Sequence, residues 1–245
     1  MSIYEYYTQC VKENINLEKE NLFFKSDPRY NYVLEHVNLA QGLEYLSLIK
    51  REFKEFYGEH KDFLIQLCKK NDSIGKPNKN YFLNFCSCSS TNIRYIYQSL
   101  LILNYAKDIE LEELKIAEIG GGYGGLCFYL KNLCPLLNIE INSYVLYDIP
   151  EVEELQSVYL DYHNIATTPK EEISSGYFLV SNYAFSELPK DIRETYEDQV
   201  INPFCDYGFL SWNACYLYDF VKNKKITSEQ ERPLTSPNNL YVYFK

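Results

Sequence analysis

Ala117-Glu118-Ile119-Gly120-Gly121-Gly122-Tyr123-Gly124-Gly125-Leu126 sets five glycines between two apolar segments. Leu114 to Ile119 has the length and the apolar content of a buried strand. Leu126, Phe128, Tyr129, Leu130 and Leu133 suit one side of a helix that Pro135 ends. Strand, glycine turn and helix in this order make a nucleotide-binding turn. Glycine lets the backbone bend sharply and approach a ligand because no Cβ intrudes. The helix that follows directs free N–H groups and the positive end of its dipole at whatever binds. Gly120, Gly122 and Gly125 fit the G-x-G-x-x-G spacing of dinucleotide sites.

The residue ahead of the glycines separates two ligand classes. Glu118, Gly120, Gly122 and Gly124 satisfy E-x-G-x-G-x-G, which resembles motif I of class I S-adenosylmethionine-dependent methyltransferases. A carboxylate at the strand end repels a pyrophosphate and suits a ligand that carries an ammonium group and no phosphate. Downstream, Ser143 to Tyr147 reads as a second parallel strand, with Asp148 at the C-terminal end, where an acidic side chain accepts bonds from ribose hydroxyls. The alternative for Asp148 is a cap for the helix opened by Pro150, Glu151 and Glu153. Tyr177 to Ser181 is a further strand, and Asn182-Tyr183-Ala184-Phe185-Ser186-Glu187-Leu188 follows it at the position that faces a cofactor's reactive end in doubly wound folds. Asp191 to Val200 forms a helix, Phe209 to Trp212 a strand, and Leu240 to Phe244 a last strand arriving antiparallel after a long excursion.

Upstream, residues 1–25 suggest a short surface helix. Asp27 and Pro28 form a helix start, and Val33, Val37, Ala40, Leu43, Leu46, Ile49, Phe53 and Phe56 predict one long amphipathic helix. A second carries Phe63, Leu64, Leu67 and Cys68. Ser89-Ser90-Thr91 offers hydroxyl caps for a helix with Ile93, Ile96, Tyr97, Leu100 and Leu101 on its apolar face. From its N-terminus Ser90, Thr91 and Arg94 are expected to hold a ligand carboxylate, the alternative for Arg94 being a solvated surface charge.

The 245 residues carry a formal net charge of −10 and 46% hydrophobic side chains, which predicts a globular protein and argues against nucleic acid or an anionic membrane as partner. The first ten residues lack a signal peptide and no segment is apolar enough to span a bilayer, so a cytoplasmic protein is expected. Eight scattered cysteines read as buried free thiols. Cys86-Ser87-Cys88 is a C-x-C without a second pair at zinc spacing, so no metal site is expected.

Four blocks together resemble a narrower group, the sugar O-methyltransferases among class I methyltransferases: Glu118-Ile-Gly-Gly-Gly-Tyr-Gly-Gly-Leu, Tyr147-Asp-Ile-Pro-Glu-Val, Ser181-Asn-Tyr-Ala-Phe-Ser-Glu-Leu and Glu231-Arg-Pro-Leu-Thr-Ser-Pro-Asn-Asn. The resemblance runs from about Ser89 to the C-terminus. It implies a Rossmann-like α/β fold with a mostly parallel seven-stranded sheet and an antiparallel last strand at residues 89–245, preceded by a helical extension at residues 1–88. It implies S-adenosylmethionine held by Glu118, Gly120, Gly121, Gly122, Tyr123, Gly124, Asp148, Ile149 and Asn182 with Ser90 and Arg94. An acceptor is then expected beside Tyr183 and Ser186, with Glu187 or His163 as base. The implied reaction is methylation of a hydroxyl on a sugar, nucleotide-activated or part of a surface-glycan precursor. For a nucleotide sugar, Arg94 and Lys190 are the residues expected at its diphosphate. Surface aromatics are compatible with a homodimer. Competing readings are another hydroxylated or amine acceptor, a nicotinamide-dependent oxidoreductase using Gly120, Gly122 and Gly125, and a non-catalytic binding protein.

Overall fold

A computed structural model describes residues 3–245. The chain divides into two compact units: a helical one, comprising the chain up to Asn104 with Gly122–Leu133 and Ile149–Ile165, and a sheet unit of Tyr105–Gly121, Cys134–Asp148 and Ala166–Lys245.

In the helical unit, α1 (Ile3–Ile15) buries Tyr7, Cys10, Val11 and Asn14 along one face. The Asn14 Oδ1 then accepts from the Phe23 amide at 2.7 Å and ties down the turn that follows. Asp27 caps α2 (Pro28–Asn31) by accepting from the Arg29 amide, as its sequence position predicts. The long helix expected from Pro28 does not form. α2 stops within one turn, and a new start at Asn38, boxed with Gln41, opens α3 (Leu39–Glu52). The chain kinks at Phe53, and α4 (Lys54–Asn71) runs on. A two-stranded hairpin, β1 (Asn80–Tyr81) with β2 (Ser87–Cys88), leads into α5 (Ser90–Asp108), whose first turn is capped by the Ser89 hydroxyl accepting from the Thr91 amide.

Polar side chains are buried together in this unit. The Lys25 ammonium donates to the Asn71 backbone and side-chain oxygens at 2.6 and 3.0 Å and lies 4.4 Å from the Tyr123 ring centre. Asn92 donates to Asp72 at 2.8 Å and accepts from the Tyr129 hydroxyl at 3.0 Å. Burial pulls the Lys25 pKa down to about 8, with Glu35 and Asp72 opposing.

The sheet unit holds β3 (Glu113–Ile119). After it the chain passes through α6 (Gly125–Leu133) to β4 (Glu140–Tyr147), and through α7 (Pro150–Tyr162) to β5 (Tyr177–Asn182). Short helices α8 (Ala184–Glu187), α9 (Lys190–Tyr196) and α10 (Asn202–Phe204) precede β6 (Cys205–Trp212), β7 (Ile226–Gln230) and β8 (Leu240–Phe244). The strand order is β4-β3-β5-β6-β8-β7. β3 to β6 run parallel, and β8 inserts antiparallel between β6 and β7. This is a Rossmann-like mixed α/β architecture with its last strand antiparallel, as expected. Its sheet has six strands among the described residues where seven were implied, and β4 forms an edge.

One face of the sheet packs Ala117, Ile119, Val145, Leu179, Trp212 and Phe244 into a continuous core with Phe185, Val200, Ile201 and Phe220. Alternation along each strand sends the other set, Ile116, Glu118 and Tyr144 among them, to the opposite face. None of the described helices is long and apolar enough to cross a membrane.

Candidate functional site

The C-terminal ends of β3, β4 and β5 lie side by side, and the strand order reverses there: from β3 the chain goes first to β4 on one flank and then to β5 on the other. Open α/β sheets bind ligands at such a switch point. Local bonds hold it open in a defined shape. The Gly120 amide donates to the Tyr147 carbonyl at 2.8 Å, joining the glycine turn to the end of β4. The Ser181 hydroxyl donates to the Ile119 carbonyl at 2.8 Å and accepts from the Phe185 amide at 3.0 Å, so one side chain fastens the end of β3 to the first turn of α8. Gly120 has φ +76°, and a Cβ there would stand 2.0 Å from the Ala184 Cβ. Only glycine fits at this approach.

Glu118 is 1% exposed, and its carboxylate accepts from the Tyr144 hydroxyl at 2.6 Å. Burial pushes its pKa up to about 7, the tyrosine bond opposes this, and the charge of Asp148 adds to it. Asp148 is half-buried directly after β4. Two carboxyl groups therefore converge on the strand ends.

The segment after β5 is fixed from the far side. Tyr183 has φ +66°, its amide donates to the Ser211 carbonyl at 2.8 Å, and its hydroxyl donates to Glu231. The Asn182 Oδ1 accepts from the Ser211 hydroxyl at 3.1 Å. The Ser186 hydroxyl donates to the Tyr183 carbonyl at 2.7 Å and accepts from the Asn213 amide at 3.0 Å. Glu187 is exposed and accepts from the Asn213 side-chain amide. Asn182, Tyr183, Ser186 and Glu187 are thus brought together, with three residues that sequence reasoning missed: Ser211, Asn213 and Glu231. Asn213 follows β6 as Glu187 follows β5, which was the available signal. An open groove runs from Ser186 past Lys190, Arg193, Glu197 and Tyr216. Lys190 is exposed beside Glu194 at 3.5 Å, and Arg193 lies over the Tyr218 ring.

Glu231 organises the C-terminal loop. Its buried carboxylate accepts from the Thr235 amide and hydroxyl at 2.8 and 2.6 Å and from Asn239 at 3.2 Å, besides Tyr183. Removing it strands these donors at about 1–3 kcal/mol for each one left unpaired. Glu231→Ala is expected to lower unfolding free energy by about 2 kcal/mol in urea titration and to speed proteolytic nicking between residues 231 and 239; an unchanged midpoint and unchanged digestion would refute this role.

The other expected site residues belong to the helical unit. Gly122 (φ +54°) and Gly124 (φ +89°) lie against Leu34 and Leu160. The Tyr123 ring is fully buried between Phe24, Tyr95 and Tyr159, so only its backbone is free to meet a ligand. Ile149 is exposed at the start of α7. Ser90 and Arg94 are buried on α5, and an Arg94 Nη donates to the Leu34 carbonyl at 3.2 Å; Arg94 is no solvated surface charge.

His163 needs correction as a base. It is 3% exposed, packed among Phe128, Tyr159 and Tyr162, and neither ring nitrogen has a hydrogen-bond partner among the described residues. Burial, with Lys25 and Lys70 adding, brings its pKa down to about 3. Such an imidazole takes no proton near neutrality and instead closes the end of α7.

No protein-family model and no curated protein matches the chain. Among solved structures, one described as an RNA methyltransferase from Pyrococcus horikoshii is 14% identical and matches over 76% of this chain and 96% of its own, with TM-score 0.40. One described as a sarcosine dimethylglycine methyltransferase from Galdieria sulphuraria is 13% identical over 69% and 60%, with TM-score 0.37. A SAM-dependent methyltransferase from Aquifex aeolicus is 12% identical over 60% and 91%, with TM-score 0.36. At similarities this low, the assignment of the fold rests on the strand order and register themselves.

Proposed function

We propose that the chain is an S-adenosylmethionine-dependent O-methyltransferase acting on a sugar hydroxyl. The observation that carries the cofactor is the buried Glu118 carboxylate at the end of β3, with Asp148 close enough to raise its pKa. This pair disfavours a pyrophosphate at the same strand ends and favours a cationic ligand with ribose hydroxyls. The donor set fits: Glu118 for the ammonium, Asp148 for the ribose, and the backbone at Gly120 and Gly121 for close approach. Asn182, at the end of β5, extends it.

When bound, S-adenosylmethionine supplies an electrophilic methyl on a sulfonium. The task left to the protein is to align an acceptor oxygen, take its proton and exclude water. Glu187 is the proposed base, since it is exposed beside the switch point and oriented by Asn213. Tyr183 and Ser186 shape the acceptor side. The groove from Ser186 to Tyr216 supports a hydroxylated acceptor because it mixes carboxylates, cations and an exposed tyrosine ring. The sugar itself is inferred from the four sequence blocks named above.

Calorimetric titration with S-adenosylhomocysteine and, in parallel, NADH tests the cofactor. Micromolar binding of the first and none of the second is the expected result, and binding of NADH alone would overturn the proposal. Glu187→Gln is expected to leave S-adenosylhomocysteine affinity unchanged while methyl transfer to sugar acceptors is lost; transfer only to amines would replace the acceptor class.

A further inference from the structure

The C-x-C of the hairpin is not alone in space. Cys86 and Cys88 flank Ser87 at the start of β2, and the period of two in a strand sends both thiols to one side while Ser87 is exposed. On that side stands Cys68, in the last turns of α4. The three sulfur atoms lie within 4.8 Å of one another. Thiolates around tetrahedral zinc, at Zn–S of about 2.3 Å, stand about 3.8 Å apart, so the cluster closes on a metal with a shift of about 1 Å or less.

The surroundings hold the thiols in place from both sides. The Phe82 amide donates to the Cys86 carbonyl at 3.0 Å, folding the hairpin back on itself. The Ser89 amide donates to the Asp72 carboxylate at 2.9 Å, anchoring the next residue of the chain to the end of α4. The Tyr129 hydroxyl, whose proton goes to Asn92, lies 3.7 Å from the Cys68 Sγ. Cys68 and Cys88 are buried and Cys86 is half-buried, leaving one side accessible from solvent. Three thiolates and a divalent ion carry one net negative charge, and Lys69 and Lys79 act electrostatically on Cys86 to balance it.

We propose that Cys68, Cys86 and Cys88 bind one zinc ion, with the fourth position open to solvent, and that the metal staples the β1–β2 hairpin to α4. Soft thiolate sets select zinc or copper(I) over magnesium and calcium. Among the described residues no carboxylate or histidine joins the three sulfurs. The site uses no residue of the proposed methyl-transfer machinery, so the two proposals stand or fall separately.

The test uses the full chain, reduced and freed of metal, titrated with zinc against a chromophoric chelator and, separately, with cobalt(II). One equivalent of zinc per chain is expected, together with a thiolate-to-cobalt charge-transfer band. Cys86→Ser is half-buried and close to isosteric, and is expected to weaken zinc binding by more than about tenfold and to remove the band. Cys68→Ser, from α4, must do the same. Cys215→Ser, an exposed thiol elsewhere, must not. Zinc should raise the unfolding temperature of wild type but not of Cys86→Ser. Less than stoichiometric binding, a cobalt complex without the charge-transfer band, or equal affinity in Cys86→Ser and wild type would each overturn the site.

Discussion

Glu118→Gln is expected to make the protein more stable at pH 8 and a poorer binder of S-adenosylhomocysteine. The carboxyl titrates near 7 in the folded chain and at 4.5 ordinarily, chiefly because it is buried. An acid whose folded pKa is raised holds its proton more tightly in the native state. Its stabilising effect is complete below 4.5 and is lost as pH rises from 4.5 through 7. A difference of about 2.5 units corresponds to a penalty on the order of 3 kcal/mol at pH 8. Glutamine carries no charge and still accepts from Tyr144. Urea unfolding of both proteins at pH 4.5 and pH 8 should therefore show a gap that opens only at the higher pH; parallel pH profiles would remove the buried charge from the account. The lost charge-assisted bond to an ammonium, about 1.5–3 kcal/mol, predicts roughly 10- to 100-fold weaker binding. The native carboxylate is then a cost in the free protein that ligand binding relieves.

Gly120→Ala has the second large effect. A backbone at φ +76° costs a residue with a Cβ about 1–2 kcal/mol. The new methyl would also meet the Ala184 Cβ at 2.0 Å, an atom fixed to the backbone of α8 and unable to rotate away. Overpacking of this kind adds about 1–3 kcal/mol. A total loss of about 2–5 kcal/mol is expected, with loss of binding as α8 moves off the end of β3. Two controls divide the causes. Gly176→Ala, at φ +86° with nothing within 4 Å, should show the backbone cost alone. Ala184→Gly combined with Gly120→Ala should restore the steric share, and no recovery in that pair would mean that the clash is not the cause.

The central elements were legible because local pattern and tertiary environment agree there. β3, β5 and β8 stand where their apolar runs predict, and Leu240–Phe244 matches residue for residue. The helix after Pro28 misled because apolar periodicity continues across Asn38, while the capping bonds of Asn38 and Gln41 set a boundary that periodicity ignores. β7 was missed because Ile226–Gln230 is mostly polar, and only pairing with β8 makes it a strand. At the candidate site, Glu118 was readable from its place at the end of a strand, and Asp148 and Glu187 from theirs after strands. Glu231 was visible only as part of a sequence block; what it does depends on a loop closing on itself. His163 looked available because a histidine near a helix end often is, whereas three aromatic rings enclose it. Cys68 stands at a zinc-like distance from Cys86 but has no second cysteine beside it, so spacing alone did not pair them.

The sheet edges carry a consequence for self-association. An unpaired strand edge invites a second chain to add on, with aggregation as the outcome. Along β4, where a further strand would have lain, Thr168 occupies the vacancy by itself: its amide donates to the Tyr144 carbonyl at 2.8 Å and its hydroxyl accepts from the Tyr144 amide at 3.2 Å. Pro169 follows and offers no donor to continue a ladder. At the opposite edge, β7 presents Thr227, Ser228 and Glu229 instead of an apolar row. The border at β4 is thereby met at Tyr144 by a threonine followed by a proline, the border at β7 is blunted by polar side chains, and β3, β5, β6 and β8 are each paired on both sides.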